Sequence, residues 1–152
     1  MTKQKLLLIG FVLALLFSPF ASFSEETKYK SYTDIGPIEK SELTIAMIFS
    51  DKNKYHREVL TVEGTISKIE YKKLFTGKKF TLFGLEDEKH NIVNVYARGY
   101  IKEIKKGSEV RIYGRYSKEK SFMFKKRTNV MKARKIQILE EGEIIEEQTA
   151  GT

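Results

Sequence analysis

At 152 residues the chain has room for one domain of ordinary size, and 41% hydrophobic against 32% charged residues is a globular balance, not a disordered one. The absence of cysteine excludes disulfides, thiolate metal sites, a cysteine nucleophile and a lipid-modified cysteine behind a signal sequence. A formal charge of +8 is an argument about partners, not about fold.

The N-terminus reads as a targeting segment. Lys3 and Lys5 form a positive start, Leu6 to Phe17 is an apolar run, and Pro19 breaks it. Ser22 and Ser24 supply the small residues of a cleavage site, so residues 1–24 are expected to be removed between Ser24 and Glu25. The mature protein is then periplasmic or extracellular, with a net charge of +6. The alternative is an uncleaved helix tethering the chain to a membrane, but the run falls short of the roughly 20 apolar residues that a span needs. No stable span is expected after cleavage.

Residues 25–40 show no apolar period and contain Gly36-Pro37, the signature of a flexible leader. From Ser41, which can cap a helix, Leu43, Ile45, Met47, Ile48 and Phe49 crowd into one short helix that Asn53 or Lys54 can end. At Val59 the period changes to two. Leu60, Val62, Gly64 and Ile66 alternate with polar residues in a first strand, followed by a lysine-rich loop over 72–79. Phe80 to Leu85 forms a second strand, with Phe83 and Leu85 facing one side and Phe80 and Leu82 the other. A polar turn over 86–91 leads to a third strand, Ile92 to Arg98. Tyr100 to Lys106 reads as one or two helical turns stopped by Gly107. Val110 to Tyr116 is a fourth strand, and Phe122 to Phe124 with Val130 to Leu139 an interrupted fifth. Residues 140–152 form an acidic tail, expected to be disordered.

Five strands with a short helix between the third and fourth, preceded by an N-terminal helix, give an all-β fold with short helices. This is the order of a five-stranded Greek-key barrel over residues 41–139; an SH3-like barrel is the alternative and normally lacks the helix. Val62, Ile66, Phe83, Leu85, Val93, Val95, Val110 and Ile112 fall in phase as its core.

Three stretches carry a resemblance: Val-Leu-Thr-Val-Glu-Gly-Thr-Ile at 59–66, Phe-Gly-Leu-Glu-Asp at 83–87, and Lys-Lys-Gly-Ser-Glu-Val-Arg-Ile-Tyr-Gly-Arg-Tyr at 105–116. Together they resemble the OB-fold nucleic-acid-binding superfamily, including its tRNA-anticodon-binding-like and exported bacterial members. The matching residues are glycines and core aliphatics, specific for the fold and uninformative about the ligand. The resemblance implies a binding surface on strands 2 and 3, flanked by the loops joining strands 1–2 and 4–5.

Charge distribution sharpens that expectation. Residues 115–135 carry nine bases and one acid, and the first loop adds Lys68, Lys72, Lys73, Lys78 and Lys79. Lysine and arginine neutralise phosphates, and aromatics stack bases. The expected ligand-binding residues are Phe80, Tyr96, Arg98, Arg111, Tyr113, Arg115, Lys125, Lys126 and Arg127, with Phe75 and Phe122 on the loops. The expected partner is a polyanion, either single-stranded nucleic acid or an acidic saccharide. A protein-interaction or envelope-stress module is the alternative, the lysines then serving solubility and guarding a sheet edge.

Enzymatic readings find little support. His56 and His90 are the only histidines and form no metal-ligand spacing. Exported OB proteins that carry haem attach it at a histidine with tyrosine four residues on; here those positions are Leu60 and Asn94. Glu86, Asp87 and Glu88 read as an acidic turn. No nucleophile or phosphate-loop motif occurs, so a non-enzymatic protein without cofactor or metal is expected.

Overall fold

A computed structural model of the chain describes residues 32–33, 36–122 and 124–141. The expected signal segment and cleavage site lie outside the described residues, as does the acidic tail beyond 141.

Alternating apolar residues build five strands: β1 Val59–Lys73, β2 Lys79–Glu86, β3 Ile92–Arg98, β4 Glu109–Phe122 and β5 Lys125–Glu140. Two short helices precede them, α1 Ile45–Ser50 and α2 Lys52–Tyr55. The strands close into a ring in the order β1-β2-β3-β5-β4, antiparallel except for the parallel pair β3 and β5. This is an OB-like arrangement.

Closure depends on strands that bend. β1 pairs first with β4 and then with β2, and its register shifts at Ser67, so that Ile69 and Tyr71 come opposite Phe83 and Thr81. Glycine permits the close approaches this requires. A Cβ on Gly64 would lie 2.8 Å from the Glu86 carbonyl oxygen, and one on Gly114 would collide with the Lys132 carbonyl where β4 and β5 shift register.

All eight residues expected in the core are buried there, joined by Ile45 and Ile48 from α1, Tyr116, Met131 and Ile136. The Tyr116 hydroxyl, carried into this apolar interior, meets Asn129 Oδ1 at 3.0 Å. Burial pushes its pKa up.

The structure departs from the sequence reading at four places. The segment between β3 and β4 forms no helix. Ile101 and Ile104 are buried, but the Ile101 N–H donates to Thr81 Oγ1 (2.9 Å) and its carbonyl accepts from the Tyr71 hydroxyl (3.2 Å). The second bond takes the carbonyl that a helix over 100–106 would pair with the Lys105 N–H, and Gly99 and Gly107 turn the chain at φ near +84° on either side. Secondly, Phe122 ends β4 instead of opening β5, because the two strands continue as one long hairpin with Phe122 opposite Lys125. Thirdly, the N-terminal helix is divided at Asp51. Thr44, not Ser41, caps α1 by accepting from the Met47 N–H (3.2 Å), and Asp51 caps α2 by accepting from the Lys54 N–H (3.1 Å). Finally, the leader is partly docked. Ile38 is buried, its N–H donates to Gln137 Oε1 at 2.9 Å, and the Tyr32 carbonyl accepts from the Ile136 N–H at 3.0 Å.

Candidate functional site

Residues that alternate with the core face outward, and on β2, β3 and β5 they are unusually apolar. Phe80, Leu82, Tyr96 and Val130 form a second, smaller cluster on the outside of the ring, with Leu74 and Phe122 packed against it. Phe122 arrives from the end of the β4–β5 hairpin. Its ring stacks on Tyr96 with centroids 4.6 Å apart and planes at 29°, and meets Phe80 edge-on at 5.2 Å. Lys120 on the same hairpin bonds the Tyr96 hydroxyl and holds its ammonium 5.0 Å from the ring centre. Asn94 Nδ2 donates to the Thr128 carbonyl (3.1 Å), tying β3 to the opposite arm of the hairpin.

The expected stacking residues are therefore covered. Phe80 and Tyr96 are 8% and 5% exposed, because the chain's own Phe122 covers them. Alternation placed them on the outer face correctly, but nothing in the strand pattern foretold that the hairpin would fold across it. A narrow cleft remains beneath the hairpin, lined by Lys68, Leu82, Asn94, Tyr96, Phe122 and Arg127. Arg127 Nε is buried there with no hydrogen-bond partner among the described residues.

Arg111 is engaged within the fold. It shares the outer face, but its Nε donates to Glu63 Oε1 (2.7 Å), Nη2 pairs with the same oxygen (2.6 Å), and Nη1 donates to the Ile38 carbonyl (2.8 Å). It clasps the leader onto β1 and β4, which leaves it little capacity for a ligand. Lys125 is exposed, and Lys126, also exposed, pairs with Glu119 at 2.8 Å.

The remaining candidates come together. Tyr96, Lys132 and Arg115 are register partners across β3, β5 and β4, a row on the outside of the ring. Arg98 follows two residues after Tyr96, and Tyr113, half-buried, lies two before Arg115 with the Lys135 ammonium 5.9 Å from its ring centre. Partial burial, followed by the charges of Arg98, Lys120, Arg134 and Arg115, holds the Lys132 ammonium below the usual lysine pKa. Among the described residues no carboxylate pairs with any of these five cations. Lys120, Lys132 and Arg134 belong to the basic excess within 115–135 that the sequence places at the ligand rim, although they are not among the expected ligand-binding residues.

The two histidines are engaged elsewhere. His56 Nδ1 accepts from the Lys118 N–H (3.2 Å), and His90 pairs with Glu86 across the β2–β3 turn. That turn is built on Asp87, whose carboxylate accepts from the N–H groups of Lys89 and Asn91 and from Asn91 Nδ2, each at 2.9 Å. Burial acts to raise the Asp87 pKa, but these bonds and the Lys89 charge outweigh it and hold the carboxyl below its usual value.

No protein-family model matches this sequence, and no curated protein matches it. Solved structures do. A chain described as an aspartyl-tRNA synthetase from Leishmania major Friedlin aligns over 76% of this chain at 12% identity with a TM-score of 0.54. The match covers 24% of the synthetase chain, so this protein corresponds to about a quarter of it. The OBody AM3L09, solved bound to hen egg-white lysozyme, aligns over 69% of this chain and 100% of its own at 16% identity, with a TM-score of 0.53. At these identities the likeness shows the OB-like fold.

Proposed function

We propose that this protein is an exported, non-enzymatic OB-like module that binds an anionic polymer, either single-stranded nucleic acid or an acidic saccharide. One observation carries the reading: Arg98, Arg115, Lys120, Lys132 and Arg134 converge on the outside of β3, β5 and β4, and among the described residues no carboxylate pairs with any of them. Like charges held together in a fold are relieved when a polyanion binds, and each phosphate or sulfate neutralised releases counterions. Export is supported by Lys3, Lys5, the Leu6 to Phe17 run and Ser22-x-Ser24. A non-enzymatic role is supported by the engagement of both histidines in local structure.

The test is a binding panel of single-stranded DNA, RNA, heparin and cell-wall fragments at two salt concentrations, with wild type and R98Q/R115Q/K132Q. Binding should weaken steeply with salt in the wild type, and the triple variant should bind more weakly with a shallower salt slope. Equal binding by both proteins overturns the assignment of the face. Failure of every polyanion moves the search to protein partners.

A further inference from the structure

The two loops beside the covered face share one design. Residues 72–79 read Lys-Lys-Leu-Phe-Thr-Gly-Lys-Lys, and residues 122–127 read Phe-Met-Phe-Lys-Lys-Arg, so each loop sets an apolar tip beside basic residues. In each, one apolar residue is anchored: Leu74 and Phe122 both pack on the outer cluster, which brings the two tips to the same face. Their neighbours Phe75 and Phe124 project outward, 90% and 96% exposed. Isolated exposed apolar residues are ordinary; two phenylalanines held out on adjoining tips are not explained by packing.

The first tip is a closed turn. The Leu74 N–H donates to the Lys78 carbonyl (2.8 Å) and the Gly77 N–H to the Leu74 carbonyl (2.9 Å), closing a turn under Phe75. Phe122 pairs with Lys125, and Phe124 between them holds φ +63°. That conformation suits glycine or asparagine and strains a bulky residue, yet phenylalanine stands there with its side chain in water. Behind the first tip, Tyr71 and Tyr100 meet edge-on at 5.4 Å, each more than a third exposed, with Lys79 5.4 Å from the Tyr100 ring centre. Lys73, Lys78 and Lys125 have no carboxylate partner among the described residues.

We infer that this edge docks on an anionic phospholipid bilayer, with Phe75 and Phe124 inserting at the acyl boundary and the flanking lysines meeting the headgroups. Tyrosine suits the interfacial level that Tyr71 and Tyr100 would occupy. Flexible lysines suit a fluid array of headgroup charges, and among the described residues neither Phe75 nor Phe124 makes a ring contact. The apolar tips and the basic charge are each weak anchors, and stable docking needs both. The inference is independent of the Lys132 face.

The chain has no tryptophan, so F75W and F124W each place a single reporter at one tip. Each variant is mixed with vesicles of phosphatidylglycerol and phosphatidylcholine in equal parts, with vesicles of phosphatidylcholine alone, and with a single-stranded oligonucleotide. A blue shift at both tips with the anionic vesicles, much smaller with phosphatidylcholine and reduced by salt, is the expected result. In F75W, replacing Lys73, Lys78 and Lys125 with glutamine should weaken partitioning roughly tenfold or more. No shift with anionic vesicles, a shift at one tip alone, or a shift with the oligonucleotide only would overturn the inference. The last would assign the tips to base stacking.

Discussion

Phe122 lies stacked on Tyr96, centroids 4.6 Å apart, so the chain supplies its own aromatic partner to the surface that OB-like folds use for ligands. Lys120 completes the arrangement from the same hairpin by bonding the Tyr96 hydroxyl. A base seeking Tyr96 must displace Phe122, whereas a polyanion seeking Lys132 and Arg115 need not.

Removing Phe122 should separate these roles. F122A loses a half-buried ring and its two aromatic contacts, which should cost roughly 1–2 kcal/mol of stability by denaturant titration. It also uncovers Tyr96, so affinity for a thymidine oligonucleotide should rise by up to roughly tenfold. Heparin binding should stay as in the wild type. Unchanged oligonucleotide affinity with lowered stability would mean that Tyr96 is only a packing residue.

The inner face makes a simpler prediction. Phe83 is buried among Val62, Val95 and Ile112, and F83A should cost about 3–5 kcal/mol through lost transfer energy and the cavity left behind. F75S should change stability by no more than about 0.5 kcal/mol, since Phe75 is almost fully exposed. Equal melting temperatures for F83A and the wild type would contradict the packing.

The alternation of β1 to β4 was legible because period-two burial is a local property: Val62 and Ile66, Phe83 and Leu85, Val93 and Val95, Val110 and Ile112 all face the core. Tyr100 to Lys106 misled because Ile101 and Ile104 are spaced like one helix face. Both are buried in the core without a helix, and Ile101 is held by bonds to Thr81 and Tyr71, partners twenty or more residues away. Ile38 and Arg111 were opaque for the same reason. A leader without apolar period still docks when one isoleucine finds a gap and one arginine bonds its carbonyl. At the site, sequence gave the cation density but not its geometry. Only the parallel pairing of β3 with β5 sets Tyr96 beside Lys132.

The β2–β3 turn should report pH. The Glu86 carboxylate, by hydrogen bond and charge, holds His90 above the usual histidine pKa, with Asp87 adding to it against slight desolvation. The contribution to stability is therefore fully present below the unfolded-state value near 6.5 and is lost as pH rises through the folded-state value. NMR titration of His90 should give a midpoint above that of His in an unstructured peptide, and E86Q should bring it down. A midpoint unaffected by E86Q would remove the ion pair.

Export predicts a covalent fact. Protein recovered from outside the cytoplasm should begin near Glu25, cleaved after the Ser22-x-Ser24 site. Intact-mass measurement reads this directly, and a retained Met1 would replace cleavage with an N-terminal tether.

Lys132 offers the most local test of the proposed face. Desolvation, then the charges of Arg98, Lys120, Arg134 and Arg115, make its proton easier to lose in the folded chain than in the unfolded one. Between the folded and unfolded pKa values the unfolded state binds more protons, so stability from this group grows as pH rises and falls as pH drops. A bound polyanion supplies the missing negative charge and must raise the Lys132 pKa, by the same linkage that makes binding tighter when the ammonium is charged. R115Q should raise it in the free protein by removing one of the opposing charges. Reductive methylation with carbon-13 followed by NMR titration resolves individual lysines. The expected result is a Lys132 resonance titrating below the usual lysine value, moving up with R115Q and further with added heparin or oligonucleotide. If Lys132 responds to R115Q but not to any polyanion that the protein binds, the ligand sits elsewhere on the ring and the cation row is not its site.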